Sequence, residues 1–213
     1  MKEHYLVDFN IDLDLARKDY DRRKNVSDAL NNFFNRSKAK EYAELAVGYT
    51  DNYGNFSASQ HGLSEYILSN NKPQAIFNFA KTVSQDGVST SDLPALIWEA
   101  GMPYVKISVG SEIACLLRPD RFWIGNVRTI WSHLVIKHKG DWERANEEYV
   151  LYRFDDIDSE MNYKIWREIY TCMGPSLDTI HDISLHWAKE QNVEPGEDKY
   201  LWTDVVCSYL YES

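Results

Sequence analysis

The stretch IGNVRTIWSHLVIKHKGDWERANEEYVLY, residues 124–152, decides the fold class. Ile124, Val127, Trp131, Leu134, Val135 and His138 recur at spacings of three and four, the period of a helix with one apolar face. Gly140 is a natural stop, and Asp141 is a natural cap for a following helix. That second helix gathers Trp142, Ala145, Tyr149 and Tyr152 on one side. The expected unit is two helices joined by a short turn.

The same pattern continues toward the C-terminus. A helix opened by Ser159 carries Met161, Ile165, Trp166, Ile169 and Met173 and stops at Gly174-Pro175. Another begins at Ser176, with Leu177, Ile180, Ile183, Ser184 and Trp187 inward. Pro195 opens the last, with Leu201, Val205 and Tyr209 inward.

Upstream the pattern is mixed. Tyr5, Val7, Phe9, Ile11, Leu13 and Leu15 alternate with polar residues, which predicts a half-buried strand at about 4–14. ARKDYDRRKN, 16–25, follows as a charged connection or short helix. Ser27 or Asp28 caps a helix through Leu30, Phe33 and Phe34 that continues to Tyr42, Leu45 and Ala46. GYTDNYGNFSASQHG, 48–62, reads as an exposed loop or hairpin. Short helices are expected at Leu63–Leu68, Pro73–Val83 and Pro94–Glu99. PYVKISVG alternates through Val105, Ile107 and Val109, which predicts a second strand near 104–109. Ser111 then caps a helix ending before Pro119.

The expected fold is therefore mainly α: a compact antiparallel helical domain over 1–213 with a small β element. A subdomain seam, if there is one, falls near 84–92. The 213 residues are 44% hydrophobic and 14% aromatic, enough for a substantial core and unlike a disordered chain. The N-terminus lacks the pattern of a secretory signal, and no window approaches a membrane span, so a cytoplasmic protein is expected. Cys115, Cys172 and Cys207 are few and far apart, and are expected to be buried, reduced thiols.

The net charge of −10 is unevenly placed. Residues 1–50 balance nine acids against nine Lys and Arg, and residues 51–140 hold seven acids and eight bases. Residues 141–213 hold seventeen acids and six bases, making an acidic helical C-terminal part. Asp141, Glu143, Glu147, Glu148, Asp155, Asp156, Asp158 and Glu160 fall within twenty residues, beside Trp142 and Tyr149. Carboxylates on rigid helices can imitate phosphate spacing, and exposed aromatics can anchor an interface. The residues thus point to a non-enzymatic binding or inhibitory module. Its acids would engage a basic protein partner, in the manner of a nucleic-acid mimic, without a cofactor.

Two other chemistries have candidate residues. TIHDISLHW, 179–187, contains His181-Asp182, and His133 and Asp204 flank it in order. On that dipeptide the chain resembles the HD phosphohydrolases. The resemblance implies a metal-dependent phosphohydrolase with His133, His181, Asp182 and Asp204 as ligands, since imidazole and carboxylate suit divalent metals. His186 stands five residues from His181, roughly 140° round a helix, and does not join that set. The other candidate is the segment 118–139, where Arg118, Arg121, Arg128, Lys137 and Lys139 interleave with Phe122, Trp123 and Trp131. That composition can hold a phosphate backbone and stack bases. No Gly-x-Ser-x-Gly elbow, Walker loop or GxGxxG occurs, which leaves acyl transfer and familiar nucleotide binding without a motif.

Overall fold

The computed structural model describes residues 11–152 and 160–212, with side chains at all of these except 160–163. Its regular elements are α1 (Leu13–Asn35), α2 (Ala39–Ala46), α3 (Phe56–Gln60), α4 (Ser64–Asn70), α5 (Pro73–Val83) and α6 (Leu93–Glu99). They continue with α7 (Ile107–Leu117), α8 (Val127–Lys137), α9 (Trp142–Val150), α10 (Glu160–Cys172), α11 (Gly174–Gln191) and α12 (Lys199–Glu212). The protein is mainly α, and among the described residues no strand forms.

The N-terminal strand is replaced by the first helix. Residues 4–10 lie outside the described residues. From Leu13 onward the chain is helical, with Asp12 as N-cap accepting from the Leu15 amide at 3.1 Å. Leu13 is fully buried while Leu15 is 46% exposed, so the two do not share a side. The buried stripe is Leu13, Ala16, Tyr20, Arg23, Ser27 and Leu30, at alternating spacings of three and four. Two polar residues sit inside that stripe, which disguises the helical period across the charged stretch 16–25. Ser27 Oγ satisfies itself on the Leu116 carbonyl at 2.6 Å, and Arg23 on two carboxylates described below.

The strand near 104–109 is also absent. Ile107 and Val109 belong to the first turn of α7. This helix packs against α1, α3, α5, α6 and α12 and is buried from Val109 to Leu117. An all-round buried helix has no polar face to reveal its period. Two alternating residues and a preceding Val105 then read as a strand. Ser111, expected as the cap, lies inside α7 and accepts from the Gly125 amide at 2.9 Å. Gly110 lets Ile97 approach, since a Cβ there would come within 2.7 Å of its side chain.

The expected loop 48–62 is partly helical and partly core. Asn52–Gly54 forms a 3-10 turn and Phe56–Gln60 forms α3. Asn55 between them is fully buried. It caps α3 through the Ala58 amide and donates to the Ala46 and Val109 carbonyls at 3.2 and 3.1 Å. The C-terminal helices follow the expected sequence, with Gly174 and Pro175 opening α11 rather than only ending α10, and α12 starting at Lys199. Gly174 is needed because a Cβ would meet the Trp123 ring at 2.8 Å.

One buried apolar cluster runs from Ile11 to Leu210 and crosses the expected seam at 84–92. Helix α12 packs against α1, α8 and α11. Cys115 and Cys207 are buried as expected, whereas Cys172 is exposed at the end of α10. Among the described residues no helix is long and apolar enough to cross a membrane.

Candidate functional site

The turn between α8 and α9 is built by Lys139 and Gly140, both at positive φ. It folds α9 back so that Glu148 faces the cations at the end of α8. Lys137 Nζ donates to Glu148 at 2.6 and 2.8 Å, and His138 Nε2 lies 2.8 Å from Glu148 Oε2. Tyr152 adds a hydroxyl donor at 3.2 Å. Partial burial works to raise the Glu148 carboxyl, but these donors outweigh it and hold it below the usual range. Glu148 is therefore an internal clasp. Asp141 is the N-cap of α9, accepting from the Arg144 amide at 3.2 Å and pairing with its guanidinium at 3.4 Å.

The remaining residues of the acidic set divide clearly. Glu143 and Glu147 are exposed on α9, and Trp142 is 38% exposed. Tyr149 is buried and belongs to the core. Asp155, Asp156 and Asp158 lie outside the described residues, and Glu160 starts α10 with its side chain undescribed.

Aromatic rings from three helices, α8, α9 and α12, form a ledge. Trp142 lies against Trp131 of α8 with centroids 5.4 Å apart, and Tyr211 of α12 meets Trp131 edge-on at 5.6 Å. Trp131 Nε1 donates to Asn146 Oδ1 at 3.2 Å, which ties the ledge to α9. Val150 and Leu151, at the end of α9, are also exposed. Only Trp142 was visible in the sequence as part of this feature. The contribution of Tyr211 needs the packing of α12 on α8, which spacing does not reveal.

The four residues of the metal-ligand reading do not gather. His133 is buried and shares a 2.9 Å hydrogen bond with Ser176 Oγ. Burial, aided by the Lys137 charge, lowers its imidazole to about 4. Asp204 is buried elsewhere, held by Arg23 and by Asn126 at 3.0 Å. His181 lies near its own neighbour Asp182 at 3.6 Å, and Asp182 is exposed. Among the described residues no three His, Cys, Asp or Glu form a group that could hold a metal ion.

The basic and aromatic residues of 118–139 do not share a face either. Phe122 and Trp123 are core residues, so neither is free to stack a base. Arg118 is spent on Asp120 and the Ser84 carbonyl, and Arg121 on the Gln85 and Val88 carbonyls. Lys137 holds Glu148, and Arg128 is buried.

A buried charge network escaped the sequence reading. Arg23 donates through Nη2 to Glu112 Oε1 at 2.7 Å and through Nη1 to Asp204 Oδ2. Glu112 also accepts from the Phe56 and Ser57 amides, both at 3.0 Å, which fastens the start of α3 to α7. Burial, together with the neighbouring Glu112 charge, raises the Asp204 carboxyl despite Arg23. The signal was present as single acids in apolar surroundings: Glu112 in ISVGSEIACLL and Asp204 in LWTDVVC. An isolated charge on an otherwise buried helix requires a partner.

No family model matches the chain, and no curated protein or solved structure matches it either.

Proposed function

We propose that the protein is a non-enzymatic binding module that engages a basic protein partner through the α9 ledge. The observation that carries this reading is the ledge itself: exposed Trp142, backed by Trp131 and Tyr211, on a helix that also exposes the carboxylates Glu143 and Glu147. Tryptophan and tyrosine supply large contact area with few rotatable bonds, and dominate interface energies. Their faces also attract Lys and Arg side chains. Carboxylates at the margin steer a basic partner and suppress acidic ones. Occupation of a groove that otherwise holds nucleic acid is the most specific form of this reading.

The test is affinity capture from the native host, with mass spectrometry and nucleic-acid detection, comparing wild type with Glu143→Lys/Glu147→Lys and with Trp142→Ala. The expected result is a basic protein captured by wild type and released by moderate salt. The charge-reversed variant should not retain it, and Trp142→Ala should lower affinity by about 30-fold, an anchor loss of about 2 kcal/mol. Equal capture by a folded charge-reversed variant, or recovery of nucleic acid alone, would overturn the reading.

A further inference from the structure

Residues 84–92, SQDGVSTSD, join α5 to α6. Asp86-Gly87 is the only point in the chain where glycine follows an aspartate or asparagine. The Val88 amide donates to the Gln85 carbonyl at 3.2 Å, which closes a four-residue turn with Asp86 and Gly87 at its two central positions. The Gly87 amide has no acceptor among the described residues. A Cβ built on Gly87 would meet nothing within 4 Å, so the turn is open on that side. The Asp86 carboxylate is fully exposed, and Arg121 Nη2 stands 3.9 Å from it. That distance is too long for a hydrogen bond, and a pair this exposed does not restrain the side chain.

The ends of the turn are held instead. Arg121 Nη1 takes the Gln85 and Val88 carbonyls at 2.8 and 3.2 Å, one on each side of the Asp-Gly pair. Two other exposed acids nearby lack the same freedom. The amide after Asp92, that of buried Leu93, donates to the Thr90 carbonyl at 3.3 Å, and the amide after Asp120 donates to the Arg118 carbonyl at 3.0 Å. Their carboxylates are also engaged, by Ser89 and by Arg118. Asp86 alone of the three combines a free carboxylate with a free amide on a residue that has no side chain to shield it.

We propose that Asp86 is a site of spontaneous isoaspartate formation in the folded protein, and so a substrate for an isoaspartyl carboxyl methyltransferase. The Gly87 amide nitrogen loses its proton and attacks Asp86 Cγ. The N–Cγ bond forms, the Cγ–OH bond breaks, and one water leaves, giving a five-membered succinimide. Both reacting groups belong to adjacent residues, so the step needs no encounter. One water then adds to either ring carbonyl. Addition at Cγ restores aspartate. Addition at the main-chain carbonyl breaks its bond to nitrogen and leaves the peptide running through Cβ and Cγ, with a free α-carboxylate. Nothing is oxidised or reduced, and the water lost is regained. The methyltransferase moves the methyl of S-adenosylmethionine onto that α-carboxylate and releases S-adenosylhomocysteine. No ledge residue takes part, so the proposed partner and this site stand or fall separately.

The test is to age the full chain for weeks at physiological temperature and neutral pH, with circular dichroism confirming the fold. The protein is then labelled with an isoaspartyl methyltransferase and methyl-labelled S-adenosylmethionine, and the label is located by peptide mapping. Label should accumulate with age and map to residue 86. Gly87→Ala has room for its methyl group, since nothing lies near the built Cβ and the backbone there is not left-handed. It should keep the fold and accumulate label several-fold more slowly. Asp86→Glu keeps the charge but would need a six-membered ring, and should carry no label at that position. Absence of label at residue 86 in aged folded protein, label there only after unfolding in urea, or an unchanged rate in folded Gly87→Ala would overturn the proposal.

Discussion

Arg23→Met tests whether the buried network is a necessary part of the fold. The Arg23 side chain is 5% exposed, and its partners Glu112 and Asp204 are 0% and 1% exposed. After the change Glu112 keeps the Phe56 and Ser57 amides, and Asp204 keeps Asn126 on Oδ1. Asp204 Oδ2 loses its charged donor, so a buried carboxylate is left without its cation. Breaking a buried pair from one side costs about 3–5 kcal/mol, a large part of the roughly 5–15 kcal/mol that holds a domain. In a chain of this size the melting temperature should fall by about 6–20 °C. Urea unfolding followed by tryptophan fluorescence and circular dichroism gives the free energy, with an unchanged slope as the check on two-state behaviour. The companion variant is Arg23→Met/Asp204→Asn. Neutralising the abandoned carboxylate should recover at least about 1 kcal/mol relative to Arg23→Met, so the two effects are less than additive. An Arg23→Met protein within about 1 kcal/mol of wild type, or a double variant equal to the sum of the singles, would refute the reasoning.

Two further predictions rest on single side chains. His133 should make the protein acid-sensitive. Its folded value of about 4 lies below the ordinary 6.5, so stability is complete above about 6.5 and is lost as pH falls toward 4. The full displacement amounts to about 3 kcal/mol, and His133→Asn should flatten the difference between urea midpoints at pH 7 and pH 4.5 relative to wild type. Asn55→Ala removes the α3 cap and the donor to the Ala46 and Val109 carbonyls. It should destabilise by about 2–3 kcal/mol in the same urea assay, and a loss below about 0.5 kcal/mol would show that Asn55 is not structural.

What the sequence revealed follows from how each element is buried. Helix α8 was legible because Leu134 and Val135 are buried and Val127 and Trp131 pack against the core, while Lys137 faces solvent; Ile130, also buried, lies off the stripe that the spacing marks. Helix α1 was not, because Arg23 and Ser27 occupy the buried stripe and their partners lie 89 and 181 residues away. Helix α7 was misread because burial on every side erases its period, leaving Ile107 and Val109 to imitate a strand. Asn55 was misread as loop chemistry because its acceptors, on Ala46 and Val109, come from α2 and α7. The acids of α9 were legible as composition. Which of them face solvent depends on the turn at Gly140 and on the clasp at Glu148, neither of which is a property of composition.

The charge asymmetry therefore means something narrower than its size suggests. Of the acids after residue 140, Asp141 caps a helix, Glu148 binds Lys137 and His138, Asp178 pairs with Lys199, and Asp204 binds Arg23. Asp198 accepts from Tyr20 and lies 3.5 Å from Lys24. These acids tie the C-terminal helices to one another and to α1, and their charge is largely cancelled at short range. Glu143 and Glu147 differ because α9 presents both to solvent. Salt screens isolated surface charges within about 8–10 Å, so two carboxylates alone would steer a partner weakly. In the proposed interface their value lies in sharing α9 with Trp142, so that an incoming basic partner can meet carboxylates and an aromatic face on one helix. The binding reading thus rests on that local pairing of charge with exposed ring, and a redistribution of distant acids that preserved it would leave the interface intact.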